Sequence, residues 1–225
     1  MNLAALYSGG KDSTLAIMDS IRNGHSVKYT ISMHSKNPES YMFHYPNIEF
    51  TRYQSELMDI EHITWKTKGE KERELADLKA AISSVRPDID GVVAGGLASS
   101  YQYNRIKAIN ESLSLQSIVP YWKIDPLEYW NILLSNGFKI MLTGVACEGL
   151  GKNWLGRIID KKTFRELHKL SIKHRFHLGF EGGEAESFVL DCPLFKKSLE
   201  VSEGEVVWNR DSGFYIIKKI RFFDK

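Results

Sequence analysis

Tyr7-Ser8-Gly9-Gly10-Lys11-Asp12-Ser13-Thr14 follows an apolar run, Leu3 to Leu6, and precedes Leu15-Ala16-Ile17-Met18, whose spacing to Ile21 suits the buried face of a helix. The apolar run reads as a buried strand. A strand, a pair of glycines and a helix with hydroxyl and charged residues in its first turn form a geometry for holding phosphate. Glycine lets the backbone turn sharply and approach a ligand closely. The start of a helix presents N–H groups and the positive end of its dipole. Lys11 adds a full positive charge, and Ser8, Ser13 and Thr14 add hydroxyl donors. A carboxylate beside phosphate is repelled by it, so Asp12 fits best with Mg²⁺ between them, an ion that takes carboxylate and phosphate oxygens together.

The spacing is not that of a Walker loop, which needs four residues between its first glycine and Gly-Lys-Ser/Thr. Ser8-Gly9-Gly10-Lys11-Asp12-Ser13 resembles instead the pyrophosphate loop of the N-type ATP pyrophosphatases, which split ATP between the α and β phosphates. A glycine turn followed by an ordinary helix start is the plainer alternative. The match over consecutive positions in a strand–turn–helix context argues against it.

A chain of 225 residues is long enough for one large domain or two small ones. Its 30 basic and 28 acidic residues leave a net charge of +2. That balance gives no electrostatic reason for tight nucleic-acid binding, although a local basic patch stays possible in principle. The two cysteines, Cys147 and Cys192, form no Cys-x-x-Cys pair. Zinc ribbons and disulfide scaffolds are therefore disfavoured, both thiols read as packed side chains, and a reducing compartment fits. The histidines show no metal-ligand spacing. With no membrane-length apolar run and an N-terminus that enters a strand directly, the expectation is a soluble cytoplasmic protein.

Gly24 is placed to end the first helix, and Val27 to Met33 reads as a second strand. Ligands of wound α/β sheets lie beyond the C-terminal ends of the parallel strands, which puts Met33 and His34 at the edge that carries the loop. Pro46 is expected to open a helix from Asn47 to about Met58. Ile60 to Trp65 reads as a strand and Glu70 to Ser84 as an amphipathic helix with a solvated charged face. Gly91 to Ala94 is a further strand running into Gly95-Gly96, then Ser99, Ser100, Tyr101 and, a turn or more into the next helix, Arg105. This second strand–glycine–serine–helix junction on the same sheet edge is expected to help bind the nucleotide. Leu115 to Pro120 supplies a fifth strand. The alternation predicts a doubly wound, Rossmann-like parallel sheet over 1–122 and a smaller α+β domain over 123–225. In the second, Asp125-Pro126 starts a helix to Ser135, Phe138 to Val145 is a strand, Cys147 to Arg157 a glycine-rich loop, and Asp160 to Arg175 a helix. The tail from Phe195 to Phe223 predicts antiparallel hairpins turning at Glu203-Gly204 and again at Asp211-Ser212-Gly213.

Glu181-Gly182-Gly183-Glu184-Ala185-Glu186 places three carboxylates around a glycine pair. If the following segment is a strand, Glu184 and Glu186 project from one face. They could hold Mg²⁺, act as a general base or bind ammonium, or form an acidic surface turn. The loop, Tyr41-Met42-Phe43-His44, Ser99-x-Tyr101-Gln102-x-x-Arg105, Trp154-Leu155-Gly156-Arg157 and Glu181-Gly182-Gly183-Glu184-x-Glu186 occur in this order and together resemble the diphthine–ammonia ligase family, in its short archaeal-type form. The likeness covers nearly the whole chain. One departure is Ala185, where the family commonly has a bulkier aromatic, which bears on the acceptor pocket more than on the ATP site.

The resemblance implies an adenine nucleotide alpha hydrolase type of fold and an AMP-forming ligase. ATP would adenylate the carboxylate of diphthine on translation elongation factor 2, and ammonia would displace AMP to give diphthamide. ATP and Mg²⁺ would sit on Ser8, Gly9, Gly10, Lys11, Asp12, Ser13 and Thr14, with Met33, His34, Gly95, Ser99, Ser100, Tyr101 and Arg105 completing the nucleotide pocket. Asp12 would be the metal ligand, Lys11 and Asp12 would act in adenylation, and Glu184 and Glu186 would receive ammonium and take its proton. His44, Arg157, Glu181, Gly182 and Gly183 would touch the acceptor. No membrane partner is expected, nucleic acid is disfavoured, and a homo-oligomer is left open. The rivals are an ATP pyrophosphatase acting on a tRNA base, for which paired cysteines and a basic RNA domain are missing, and a non-catalytic ATP-binding module, which would release no pyrophosphate.

Overall fold

The computed structural model describes residues 1–35, 47–70, 73–95 and 100–225. The chain forms two compact units, Met1–Trp122 and Lys123–Lys225. In the first, β1 (Asn2–Leu6), α1 (Lys11–Arg22), β2 (Ser26–Ser35), α2 (Thr51–Leu57), β3 (Glu61–Thr67), α3 (Arg73–Ser83), β4 (Gly91–Val93), α4 (Ser100–Ser112) and β5 (Gln116–Ile118) alternate in order. The five strands lie in the order β3-β2-β1-β4-β5, and every pairing is parallel.

The chain winds from β1 out to β3, then returns to the other side of β1. Right-handed crossovers therefore put α1 and α2 on one face and α3 and α4 on the other. Period-two alternation along β2 serves both faces. Ile31 and Met33 join Ala4, Leu78, Ala81, Ile82, Val92 and Ile109 in one apolar cluster, while Thr30 and Ser32 are fully buried on the opposite side. Gly24, at φ +79°, follows the end of α1 as anticipated. The second helix differs from expectation. Asn47 sits in the left-handed region at φ +73° and cannot be helical, so a 3₁₀ turn, Ile48–Phe50, leads into α2. Pro46 lies outside the described residues.

The second unit holds α5 (Pro126–Ser135), β6 (Lys139–Val145), β7 (Ile158–Ile159), α6 (Lys161–His174), β8 (Ala185–Asp191), β9 (Lys197–Asn209) and β10 (Ser212–Asp224). Both helices open on an aspartate: Asp125 accepts from the N–H of Leu127 and Glu128, and Asp160 from that of Thr163. All strand pairings are antiparallel, with β6 bonded to β7, β8 and β10. The tail is one long hairpin, not two. Glu203-Gly204 lies inside β9 at a register shift, and a Cβ on Gly204 would fall 2.4 Å from the Tyr215 ring. The glycine clears space for an aromatic instead of reversing the chain.

Trp130 anchors this core. It is fully buried, its ring centroid lies 5.4 Å from that of Phe164 and 5.9 Å from that of Phe180, and its indole N–H donates to the Leu178 carbonyl at 2.9 Å. Trp130→Ala is expected to lower unfolding stability by about 3–5 kcal/mol, and Trp130→Phe by less, with the Leu178 carbonyl losing its donor. Urea denaturation followed by circular dichroism measures both.

Candidate functional site

The end of β1 turns into α1 through Ser8, Gly9 and Gly10, with Gly9 at φ +77°. Gly10 is extended and carries no side chain to cap the helix, so the first-turn N–H groups depend on acceptors from outside the helix ladder. Hydroxyls knit the turn from within. Ser8 Oγ and Ser13 Oγ lie 3.2 Å apart, the Ser8 N–H reaches Ser13 Oγ at 3.3 Å, and the Gly10 N–H reaches Ser8 Oγ at 3.4 Å. These are long bonds, easily exchanged for a better acceptor. Thr14 is different: it is fully buried and donates to the Gly10 carbonyl at 2.8 Å, so it shapes the loop from inside.

Lys11 is only 2% exposed, and its ammonium lies 2.9 Å from both carboxylate oxygens of Asp12, whose side chain is 32% exposed. A buried cation requires such a partner. Asp12 thus balances the buried lysine while its side chain stays partly exposed, as suits an ion that needs one carboxylate and keeps its waters. Among the described residues no cluster of three or more His, Cys, Asp or Glu could hold a metal.

The end of β4 presses against this turn. A Cβ on Gly95 would fall 2.3 Å from the Asp12 carbonyl carbon and from the Ser13 nitrogen, so only glycine fits there. Gly95 therefore acts as a spacer for the helix start. Ser100 and Tyr101 open α4, and Arg105 is half-buried one turn further on. Ser99 and His44, with the rest of Tyr41-Met42-Phe43, lie outside the described residues. Met33, expected at the nucleotide edge, has its side chain packed into the apolar cluster under α3. His34, its neighbour on the other face, stays half-buried at the strand end.

Residues the sequence did not single out surround the loop. Ser32 Oγ donates to the Tyr7 carbonyl at 2.7 Å and lies 3.0 Å from Thr51 Oγ1, while Gln54 Nε2 donates to the Gly9 carbonyl at 3.0 Å. His62 closes the network, with Nδ1 2.9 Å from Thr30 Oγ1 and Nε2 3.3 Å from Thr51 Oγ1. Thr51 already donates to the Ile48 carbonyl, which assigns the His62 proton to Nε2 and leaves Nδ1 as acceptor. Burial, helped by the Arg52 charge, lowers the His62 pKa to about 4. Only hydroxyl and amide residues recurring at buried positions of β2 and α2 could have signalled this.

In the second unit, Glu184 precedes β8 and folds back. One carboxylate oxygen accepts from the His177 N–H at 3.0 Å and the other from the Gly182 N–H at 2.8 Å. A Cβ on Gly182 would fall 2.9 Å from that carboxylate, and Gly183 is left-handed at φ +81°, so both glycines serve the turn. Glu186 lies within the strand opposite Gly144, whose missing side chain makes room for it. Glu184 thus lies just before the strand with its carboxylate taken up by backbone N–H groups, whereas Glu186 lies within it. Glu181 is half-buried in the same turn. Arg157 bonds Glu166 with both terminal nitrogens and lies 4.3 Å above the Trp154 ring. The pairing raises the Arg157 pKa and lowers that of Glu166. Burial, with Glu184 nearby, pushes the Cys147 thiol up to about 11, and burial pushes Cys192 to about 12. Neither is a thiolate at neutral pH.

Residues 1–117 match the family model described as the diphthamide synthase N-terminal domain, and residues 125–222 match that of its C-terminal domain. The chain is 28% identical over 246 residues to the diphthine–ammonia ligase of Homo sapiens, with 100% of this chain and 91% of the relative covered. It is 30% identical over 242 residues to that of Danio rerio, with 99% and 94% covered. Against that of Schizosaccharomyces pombe it is 30% identical over 225 residues, which span 92% of this chain but 37% of the larger relative. A solved structure described as a predicted subunit of tRNA methyltransferase from Methanocaldococcus jannaschii covers 86% of this chain and 98% of its own at 14% identity and TM-score 0.47.

The His62 network predicts a pH dependence. Because the folded-state pKa is about 4 against the usual 6.5, the unfolded chain takes up this proton first. The stability contribution is complete above pH 6.5 and is lost as pH falls from 6.5 through 4. Thermal midpoints measured across that range should fall more steeply for the native chain than for His62→Asn.

Proposed function

This chain belongs to the diphthamide synthase family, and on that premise we propose that it is an ATP-dependent diphthine–ammonia ligase. The diphthine carboxylate of elongation factor 2 attacks the α-phosphorus of ATP, the bond to the bridging oxygen breaks, and pyrophosphate leaves. Ammonia then attacks the acyl carbon, loses a proton, and AMP departs with the carbon–oxygen bond, leaving the amide. A carboxylate is a poor electrophile, so adenylation supplies the leaving group that direct amidation lacks.

The observation that carries this reading is the glycine-cornered loop holding Lys11 against Asp12 where the sheet order reverses at β1. Cleavage next to the sugar requires the outer phosphates to be gripped and their charge offset, which is a matter of positioning and electrostatics. In this role Ser8, Gly10 and Ser13 present donors, Lys11 supplies charge, and Thr14 and Gly95 fix the turn. His34 and Arg105, with Ser99, Ser100 and Tyr101, are assigned to the nucleotide, and His44, Arg157, Glu181, Gly182 and Gly183 to the acceptor side. Arg157 is fixed by Glu166 and Trp154, which suits a rim of constant shape. The partly exposed Asp12 carboxylate would hold Mg²⁺, which would supply charge to offset that growing on the leaving group.

The carboxylates of the second unit divide the work. Glu184 is spent on two backbone N–H groups and holds the turn, while Glu186 is assigned to receive ammonium and take its proton. Ammonium cannot attack until it is deprotonated, so a carboxylate at this step is worth on the order of a hundredfold or more.

Incubation with ATP, Mg²⁺, ammonium and diphthine-bearing elongation factor 2 should release AMP and pyrophosphate, and mass spectrometry of the factor should show hydroxyl replaced by amino. Release of ADP instead would refute the reaction. Glu186→Gln should lower amidation by about a hundredfold with ATP affinity unchanged. Raising the pH, which supplies ammonia already deprotonated, should restore part of that loss. An unchanged rate in Glu186→Gln would remove that residue from the proton step.

A further inference from the structure

We infer that Gln54, in α2, is a positioning residue for ATP cleavage, setting the grip of the loop through the peptide between Gly9 and Gly10; the inference rests on the reading of the loop as a polyphosphate site. Gln54 is fully buried, and its Nε2 donates to the Gly9 carbonyl at 3.0 Å. Its amide lies against the glycine, since a Cβ there would fall 2.4 Å from Gln54 Oε1.

The carbonyl of Gly9 and the N–H of Gly10 belong to one planar trans peptide and point in opposite directions. Tying the carbonyl to Gln54 therefore aims the Gly10 N–H away from α2. On that side its partner among the described residues is Ser8 Oγ, at 3.4 Å. A phosphate oxygen is charged and a far better acceptor than a hydroxyl, so it can take this N–H over.

The same device operates two peptides earlier. Ser32 holds the Tyr7 carbonyl at 2.7 Å, and the N–H of that peptide, on Ser8, faces Ser13 Oγ at 3.3 Å. Two carbonyls flanking Ser8 are thus drawn toward β2 and α2, and two N–H groups are turned the other way. Ser32 restrains a non-glycine peptide, whereas Gln54 restrains one whose glycine has no steric preference of its own. Without Gln54 the Gly9–Gly10 peptide is free to rotate and offer a carbonyl oxygen to the anion.

The test compares Gln54→Met, which keeps length and removes the donor, with Glu56→Ala, which changes an exposed side chain of the same helix. Calorimetry measures the affinity of each full chain for magnesium pyrophosphate and for AMP, alongside the thermal midpoint. Gln54→Met should bind pyrophosphate about tenfold more weakly and raise the KM for ATP, with AMP affinity retained. The assignment is overturned if Gln54→Met binds pyrophosphate like the native chain. It is equally overturned if Glu56→Ala loses as much, or if AMP is lost in parallel. A native chain that binds pyrophosphate but amidates nothing would remove the proposed acceptor chemistry while this comparison still decides the role of Gln54. A native chain that binds neither ATP nor pyrophosphate overturns both.

Discussion

Each peptide group carries a donor that attracts phosphate and an acceptor that repels it, so a loop that grips a polyphosphate must fix the plane of every peptide it shows. On the proposed reading of the loop as a phosphate site, that constraint falls on Ser8-Gly9-Gly10. The carbonyls of Tyr7 and Gly9 are held by Ser32 and Gln54, and Thr14 holds that of Gly10. The rest of the first unit is arranged so that those side chains reach. Alternation along β2 sends Thr30 and Ser32 toward α2 and Ile31 and Met33 into the apolar cluster beneath α3. The left-handed Asn47 and the 3₁₀ turn after it bring Thr51 and Gln54 to the loop.

A buried polar network of this kind is stable only when its members satisfy one another, because an unpaired donor or acceptor away from water costs more than a hydrogen bond gains. Thr30, Thr51, Ser55 and His62 meet that condition with one neutral imidazole, protonated on Nε2. The network exchanges some pH tolerance for rigidity under the loop. Gly95 meets a related constraint from the other strand: the first turn of α1 lies so close to β4 that any side chain would strike its backbone.

The second unit shows how similar residues come to different uses. Glu184 and Glu186 are two positions apart, yet one caps backbone N–H groups in a glycine turn and the other lies within a strand beside Gly144. Tyr215 likewise accounts for two glycines that look unrelated in the chain. A Cβ on Gly156 would fall 2.8 Å from its ring, and one on Gly204 would fall 2.4 Å from the ring on the other strand. Each glycine leaves room for the same aromatic ring, and Gly156 is left-handed besides, at φ +78°.

The alternation of apolar runs, the glycine pair after β1 and the aspartates before α5 and α6 determined the α/β class, the loop and the helix starts from sequence alone. Those signals are local, since propensity, periodicity and capping act over a few residues. The membership of Gln54, Ser32 and His62 in the loop's support was decided only by tertiary structure, because their partners lie up to 45 residues away and no local pattern encodes them. The placement of Met33 in the core, the continuation of β9 through Gly204 and the folding back of Glu184 belong with them. In each, what a side chain does depends on which distant backbone or ring it meets, and that is settled when strands pair and helices pack, not by the residue's own neighbours.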